Sequence, residues 1–296
     1  MEEAEMPDER ANPTSHSYFS QRLRLHYLDW GTESAPPMLL IHGTRDHGHN
    51  WEWVAQALRT DYHIVAPDLR GHGDSEWAVG GSYSTTEYVY DIAQLIHQTK
   101  LAPITIIAHS LGGGLALKYA GIYPENVTKL VVIEGMGGPP SWYRSTQPVH
   151  TRMRNWIESM RKLSGRIPRR YTSLEGAYHR MEEVNSHLDP ERARHLTIHG
   201  ANQNEDGTFS WKFDNYTRSM SPFDMPHDDA TSLWENIRCP ILMISGSEGF
   251  GRRVGHDDVL KPFKDARHVV IDDAGHWVHH DQLDEFVKVT RAFLAE

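Results

Sequence analysis

Short apolar runs along this chain alternate with longer segments in which apolar residues recur every three or four positions. The apolar runs are typical of strands buried on both faces and lie at residues 38–41, 63–66, 104–108, 130–133 and 241–245. Residues 22–27 alternate between apolar and polar, which predicts a half-buried strand. The helix-period segments lie at residues 51–58, 85–99, 111–119 and 281–294. This alternation predicts an α/β fold with a mostly parallel central sheet and helices on both faces.

The alternation of apolar runs and helix-period segments stops between residues 137 and 230. This interval has no convincing buried strand, but it has helical stretches at 149–163 and 174–188 and is rich in Trp, Tyr, Arg and His. We therefore expect a helical cap, inserted after the sixth strand into a core formed by residues 18–136 and 231–296. Residues 1–17 are polar and acidic with two prolines, which predicts a mobile tail.

Charge argues against some partners. The 30 Lys and Arg against 40 Asp and Glu give a net charge of −10, which disfavours nucleic acid because phosphate binding needs clustered cations. One segment departs from this average. Residues 144–170 carry eight Lys or Arg against Glu158 alone, a local charge of +7 at the start of the cap. We call this segment the basic segment and expect most of it to be solvated helix surface, with an attraction for anionic substrates at the mouth of a pocket.

Two further features of the sequence indicate where in the cell the protein is located. Cys239 is the only cysteine, so no internal disulfide can form, and the first ten residues are acidic where a signal peptide would be basic and then apolar. No stretch approaches the roughly 20 apolar residues of a membrane span. We expect a cytoplasmic protein.

A serine lies on a predicted strand-to-helix turn. The sequence Ala108-His109-Ser110-Leu111-Gly112 follows the strand at 104–108 and begins the helix at 111–119. It resembles the nucleophile elbow, Gly-x-Ser-x-Gly, of the α/β-hydrolase superfamily, with alanine as the first small residue. The resemblance implies that Ser110 is a nucleophile. The alternative is a glycine-rich helix start with an incidental serine.

A serine hydroxyl needs a base, and the superfamily places a histidine after its last strand. Here residues 268–271 form the predicted last strand, and the following Gly275-His276-Trp277 resembles that segment. The resemblance implies that His276 is the base. His279 and His280 mimic a metal cluster, but they lie where the next helix begins, and we expect neither a metal nor a cofactor.

The third member of such a triad is an acid that orients the imidazole. The superfamily uses an Asp after the seventh strand, or in some branches an acid after the sixth. Gly249 occupies the usual Asp position here, one residue after Glu248, whereas Glu134 directly follows the sixth strand. We favour Glu134 and keep Glu248 as the alternative.

The loop after residues 38–41 resembles the oxyanion loop of the superfamily and reads His42-Gly43-Thr44-Arg45-Asp46. By this resemblance, the backbone N–H groups of Thr44 and Leu111 stabilise the negative charge that develops on the substrate oxygen. Further residues expected to line the substrate pocket are His42, Gly43, Arg45, Asp46, His109, Trp142, Trp211 and Trp277.

These features imply a carboxylic ester hydrolase acting on a small to medium substrate, including anionic ones, under the cap. A serine nucleophile argues against haloalkane dehalogenases and epoxide hydrolases, which use an Asp at the elbow. Two alternatives remain: a carbon–carbon bond hydrolase with the same triad, and a ligand-binding protein on the same fold with little turnover.

Overall fold

The computed structural model describes residues 12–81, 83–135, 147–219, 221–223, 225–249 and 260–296. Within these ranges eight strands form one sheet, and they are β1 Thr14–Ser20, β2 Leu23–Asp29, β3 Pro37–Ile41, β4 His63–Pro67, β5 Ile104–His109, β6 Val127–Ile133, β9 Ile241–Gly246 and β10 Ala266–Ile271. A separate hairpin in the cap consists of β7 Ala201–Gln203 and β8 Phe209–Trp211.

The α-helices, numbered along the described chain, are α1 Glu52–Leu58, α2 Thr85–Thr99, α3 Leu111–Ile122, α4 Val149–Ser164, α5 Leu174–Val184, α6 Pro190–Gly200, α7 His227–Asn236, α8 Val278–Asp281 and α9 Leu283–Leu294. Short 3₁₀ helices lie at Gly48–Trp51 and Asn215–Arg218. The terminal helix predicted at 281–294 corresponds to α9, and the short helix α8 precedes it.

The sheet order is β1-β2-β4-β3-β5-β6-β9-β10. The strands β4, β3, β5, β6, β9 and β10 run parallel to one another, whereas β2 pairs antiparallel with both of its neighbours, β1 and β4. The predicted α/β fold with a mostly parallel sheet is confirmed. All carboxyl ends of the parallel strands meet at one edge, which is where ligand sites form in such sheets.

The core lies on both faces of this sheet. In β3, Leu39 and Ile41 pack into one hydrophobic cluster with α2 and α3, whereas Met38 and Leu40 pack into another with α1 and α9. Because alternate side chains of a strand point to opposite faces, burial of both faces requires an uninterrupted apolar run. The central strands could therefore be predicted from their uninterrupted apolar runs in the sequence.

The prediction of a tail at residues 1–17 is wrong for residues 14–17, which form the first part of β1. This strand pairs antiparallel with β2 at the sheet edge, and only Tyr18 and Ser20 of its seven residues are buried. A strand held mainly by backbone hydrogen bonds at an edge carries little apolar signal, so its composition resembles that of a tail. Residues 1–11 lie outside the described ranges.

The described part of the cap contains α4, α5, α6 and the β7–β8 hairpin, of which α6 and the hairpin were not anticipated. The helix α7 packs on α3, where a side chain at Gly121 would lie 2.3 Å from the Leu233 carbonyl oxygen. Residues 227–230, assigned to the cap from the sequence, therefore belong to a helix of the core. Residues 137–146 of the expected cap lie outside the described ranges.

No helix in the described ranges combines the length and the apolar character that crossing a bilayer requires.

Candidate active site

Ser110 occupies a sharp turn between β5 and α3. Its backbone has φ 51° and ψ −115°, a left-handed conformation that non-glycine residues rarely adopt. Its N–H donates to the Ile133 carbonyl at 2.8 Å. The following glycines permit close packing: a side chain at Gly112 would lie 2.5 Å from the Ile41 carbonyl oxygen, and one at Gly113 would lie 2.8 Å from the Gly135 Cα. These contacts hold the strained turn at the carboxyl edge of the sheet.

His276 and Glu134 are adjacent at the same edge. His276 lies in the loop after β10, and its Nδ1 is 3.4 Å from Oε2 of Glu134. The Glu134 side chain is fully buried, although it follows β6 on a residue with φ 51°. Its other oxygen, Oε1, accepts a hydrogen bond from the Gly246 N–H at 3.0 Å. The carboxylate is thus positioned from β9 while it faces the imidazole.

Glu248, the alternative candidate for the triad acid, lies beside a histidine of the cap. The Glu248 side chain is half exposed, and its Oε2 lies 3.4 Å from Nε2 of His187 in the cap. Gly249, at the position of the usual Asp, has a special contact: a side-chain Cβ there would lie 2.4 Å from Oε1 of Glu134. The carboxylate of Glu134 therefore needs the space that a side chain at 249 would fill.

Two backbone N–H groups near Ser110 have no acceptor among the described residues. Neither the N–H of Thr44 nor that of Leu111, the first residue of α3, donates to another residue in the described ranges. Gly43 brings its loop against the elbow, since a Cβ at this position would lie 3.1 Å from the Ser110 Cβ. Such N–H groups stabilise a developing oxyanion.

A cavity of about 740 Å³ opens beside Ser110 and His276 and extends under the cap. Of the expected pocket residues, it is lined by Arg45, His109, Trp211 and Trp277, together with Thr44. His109 is buried, and its Nε2 is 2.9 Å from the His276 carbonyl oxygen. Burial lowers the pKa of His109 well below its usual value, with further lowering by the adjacent His276.

Other expected pocket residues do not line this cavity. His42 is fully buried; its Nε2 accepts the Leu69 N–H at 2.9 Å, so its Nδ1–H donates to the Gly43 carbonyl at 2.7 Å. Burial lowers the pKa of His42 to about 3, so the ring is neutral. Its two hydrogen bonds connect the loop after β3 to the loop after β4. Asp46 lines a separate cavity of about 20 Å³, and burial raises its pKa to about 8. Trp142 lies outside the described ranges.

Arginines are the lining residues that sequence reasoning mostly missed. Arg169, Arg180 and Arg218 line the cavity with Arg45, and the described lining contains no Asp or Glu. Arg169 belongs to the basic segment, but Arg152 donates to the Pro222 carbonyl at 2.9 Å and Arg161 pairs with Glu158. Only the three-dimensional fold of the cap brings these arginines to one cavity, so no local sequence signal identifies them.

His279 and His280 lie in the short helix α8, and both side chains are buried. Nε2 of His279 lies 2.6 Å from Oδ1 of Asn50, and the His279 ring stacks on Trp51. The His280 ring packs edge-on against Trp53. Burial lowers the pKa of each well below its usual value, most strongly through desolvation. These contacts indicate a packing role.

The fold and the site define a class of protein. A family model described as the α/β hydrolase fold matches residues 36–283, which is more than half of the chain. The chain therefore belongs to the α/β hydrolase family, and its class is that of a hydrolase.

Several known proteins are similar to it over most of their length. Esterase Rv0045c of Mycobacterium tuberculosis is 25% identical over 272 residues, covering 90% of this chain and 85% of the esterase. A putative 2-succinyl-6-hydroxy-2,4-cyclohexadiene-1-carboxylate synthase of Bacillus subtilis is 27% identical over 287 residues, covering 93% and 96%. The crystal structure of hypothetical protein PA1622 from Pseudomonas aeruginosa PAO1 matches with a TM-score of 0.81 at 21% identity, covering 96% of this chain and 100% of that chain. The last similarity shows a shared fold.

Proposed function

We propose that this protein is a serine hydrolase that cleaves a carboxylic ester through an acyl-enzyme. The observation that carries the proposal is the buried Glu134 carboxylate 3.4 Å from His276 Nδ1, beside a serine in a strained elbow. A buried carboxylate is costly unless it is paired, so its place next to an imidazole is consistent with orienting that imidazole.

In this mechanism the Ser110 hydroxyl attacks the ester carbonyl while His276 Nε2 takes its proton. The N–H groups of Thr44 and Leu111 donate to the oxyanion of the tetrahedral intermediate. His276 then returns the proton to the leaving alcohol as the carbon–oxygen bond breaks. A water molecule, deprotonated by His276, attacks the acyl-enzyme. The bond between the acyl carbon and the Ser110 oxygen then breaks, and His276 returns the proton to that oxygen as the acid leaves. Glu134 holds the imidazole in the required tautomer and stabilises its charged form.

Ester cleavage is supported by the similarity to an esterase over 90% of the chain. The second candidate is a carbon–carbon bond hydrolase with the same three residues. It is kept because a relative similar over 93% of the chain is named a putative carboxylate synthase and not an esterase. A panel of aryl esters and of acidic diketones separates the two. Faster turnover of a diketone than of every ester would favour the second candidate.

The triad assignment is tested by Ser110→Ala and His276→Ala. Each is expected to remove nearly all ester hydrolysis, roughly 10⁴-fold or more, because members of such a unit act together. A fluorophosphonate probe should label the native protein and not Ser110→Ala. Thermal unfolding should be nearly unchanged in both variants.

Near-native hydrolysis by Ser110→Ala would show that the elbow serine is not the nucleophile. A folded native protein that neither reacts with the probe nor hydrolyses any substrate would instead favour the ligand-binding alternative.

We also propose a reducing, cytoplasmic location. The single cysteine, Cys239, is buried as a free thiol in the core, where burial raises its pKa to about 11. Cell fractionation with detection of the native protein tests this location.

A further inference from the structure

Two arginines of the cavity face each other without a counter-ion. Arg45 follows the predicted oxyanion residue Thr44, and Arg218 ends the 3₁₀ helix Asn215–Arg218. In the described part of the chain, neither forms an ion pair with a carboxylate. Arg45 instead lies over the Phe213 ring, at 6.0 Å from its centroid. Two like charges lining one cavity repel each other, and a bound anion relieves that repulsion.

The electrostatics of Arg45 agree with this geometry. Burial lowers its pKa, and the positive charge of Arg218 lowers it further. An arginine stays charged in proteins, so the unfavourable environment acts as a free-energy cost of the ligand-free site. An anion between the two guanidinium groups would reverse that cost.

The other two arginines of the cavity, Arg180 and Arg169, contact other side chains of the cap. Arg180 pairs with Glu183 at 2.9 Å, and Arg169 lies over the Tyr171 ring at 5.1 Å. The four arginines together make the cavity positive, although the whole chain carries a net charge of −10. Such a field concentrates anionic ligands in the cavity.

We propose that Arg45 and Arg218 bind a carboxylate or phosphate group of the substrate, so that the preferred esters are anionic. The proposal rests on the proposed ester hydrolysis and names the substrate class of that site. Guanidinium groups suit this task because their planar N–H donors match the oxygens of both anions. The neutral part of the substrate would extend from this pair to Ser110 along the wall formed by Trp211 and Trp277.

The test compares two series of aryl esters whose acyl chains have equal length. One series ends in a carboxylate or a phosphate and the other in a methyl ester or a methyl group. For Arg218→Gln and Arg45→Gln, we expect kcat/KM to fall about 10- to 100-fold more for the anionic esters than for the neutral ones, as for a lost charged hydrogen bond. The matched control is Arg161→Gln in α4, an exposed arginine outside the cavity, which should change neither series.

Equal losses for the anionic and neutral series in both variants would overturn the proposal. The two anionic arms show whether carboxylate or phosphate is preferred. Failure of the proposed function is distinguished by calorimetry on Ser110→Ala, which does not depend on turnover. This variant should bind the anionic esters, and the added Arg218→Gln should weaken that binding at least tenfold.

A second, independent observation concerns a histidine cluster between the cap and the core. His195 and His199 are one helical turn apart on α6, and His49 lies on the 3₁₀ helix Gly48–Trp51 of the core. One ring nitrogen from each lies within 4.8 Å of the others. The His49 and His199 rings are stacked with centroids 3.7 Å apart.

The ring nitrogens have lone pairs available for a metal. Nδ1 of His49 is buried without a hydrogen bond, with the Glu52 Oε2 at 3.6 Å. His195 places Nε2 3.1 Å from the His49 carbonyl oxygen, which leaves its Nδ1 as an acceptor, and His199 forms no hydrogen bond with another described residue.

We infer that His49, His195 and His199 bind one divalent transition-metal ion. Three imidazoles suit ions such as Zn²⁺ and Co²⁺, and an i, i+4 histidine pair on a helix has the spacing of known sites. Ligand nitrogens around such an ion are about 3.4 Å apart, so the rings must approach by about 1 Å. The bound ion would fasten α6 to the core beside the oxyanion loop.

The test titrates metal-free protein with Co²⁺ at neutral pH and follows heat and the visible spectrum of the ion. We expect one saturable site whose Kd rises at least tenfold in His199→Gln and in His195→Gln. The control His97→Gln changes an exposed histidine of α2 and should bind as the native protein does. Co²⁺ should also raise the unfolding midpoint of the native protein and not that of His199→Gln.

The site is distinguished from metal binding at the catalytic imidazole by the same titration of His276→Ala, which should keep the Co²⁺ site. Unchanged Co²⁺ affinity in both cluster variants would overturn the inference, as would loss of the site in His276→Ala. Unfolding measured in the presence of a chelator confirms that each variant is folded.

Discussion

The Glu134 carboxylate is fixed from two sides. Oε1 accepts the Gly246 N–H at 3.0 Å, and Oε2 lies 3.4 Å from His276 Nδ1. A residue with φ 51° at the end of β6 directs this side chain towards β9. Backbone conformation as well as side-chain type thus places the proposed triad acid beside the imidazole.

Glu134→Gln should lower kcat by up to about 10⁴-fold, because an amide stabilises neither the correct tautomer nor the charged imidazole. Glu248→Gln is the matched control, since Glu248 faces His187 and is half exposed. Steady-state kinetics on one ester measure both. The opposite order of losses would assign the acid to the loop after β9.

Gly249→Ala should lower kcat although residue 249 contacts no substrate atom in the proposed mechanism. The added Cβ would lie 2.4 Å from Oε1 of Glu134 and displace the carboxylate from His276. We expect a loss of about tenfold or more, since small misplacements of a catalytic group are costly. Gly165→Ala, where a Cβ meets nothing within 4 Å, is the control, and equal kcat in the two variants would contradict the prediction.

At the scale of elements, the turn from β5 to α3 depends on how closely α3 approaches the strands beside it. Gly112 lies against the carbonyls of Ile41 and His42, and Gly113 lies against Gly135. Gly114, one residue further along α3, has more room, because a Cβ there would meet only the Gly135 carbonyl oxygen, at 3.6 Å. The three consecutive glycines therefore differ in what they permit.

Gly112→Ala should destabilise the protein by about 1–3 kcal/mol and lower kcat, because α3 must move away from β3 and carry Ser110 with it. Gly114→Ala should leave kcat unchanged and stabilise α3 slightly, by up to about 1 kcal/mol, through alanine's helix propensity. Urea unfolding and ester hydrolysis measure the two effects. Equal behaviour of the two variants would show that α3 is free to shift.

The elements differed in how well the sequence predicted them. The buried strands β3, β5 and β9 have uninterrupted apolar runs, so their place in the sheet followed directly. The edge strand β1 and the cap helix α6 are stabilised by pairing and docking, and both have mixed composition. The sequence left two candidates, Glu134 and Glu248, for the acid beside His276. Only the three-dimensional structure shows that Glu134 lies next to His276 whereas Glu248 lies next to His187.

At the scale of the whole molecule, buried neutral histidines are the most distinctive ionisable feature. Burial lowers the pKa of His42 and His47 to about 3 and that of His72 to about 4. In the unfolded chain these groups titrate near their ordinary value of about 6.5. Below that pH the unfolded state binds more protons than the folded state, so acid favours unfolding.

The free energy of unfolding should therefore fall by at least about 2 kcal/mol between pH 7 and pH 5.5, because the lowered pKa values of His109, His279 and His280 add to the effect of these three. Each of the three histidines contributes up to about 1.4 kcal/mol per pH unit in this window, whereas Asp46, with its pKa raised to about 8, acts in the opposite direction. Urea unfolding at the two pH values measures the change. His47→Gln should give a shallower fall, and a stability that is flat or rises on acidification would contradict the assignment.

The mutual exclusion of a Glu134 carboxylate and a side chain at 249 has an evolutionary consequence. A chain with acids at both positions would contain a steric conflict, and a chain with neither would leave the imidazole without an orienting partner. Transfer of the acid from one strand end to the other thus requires two coordinated substitutions, each deleterious without its companion.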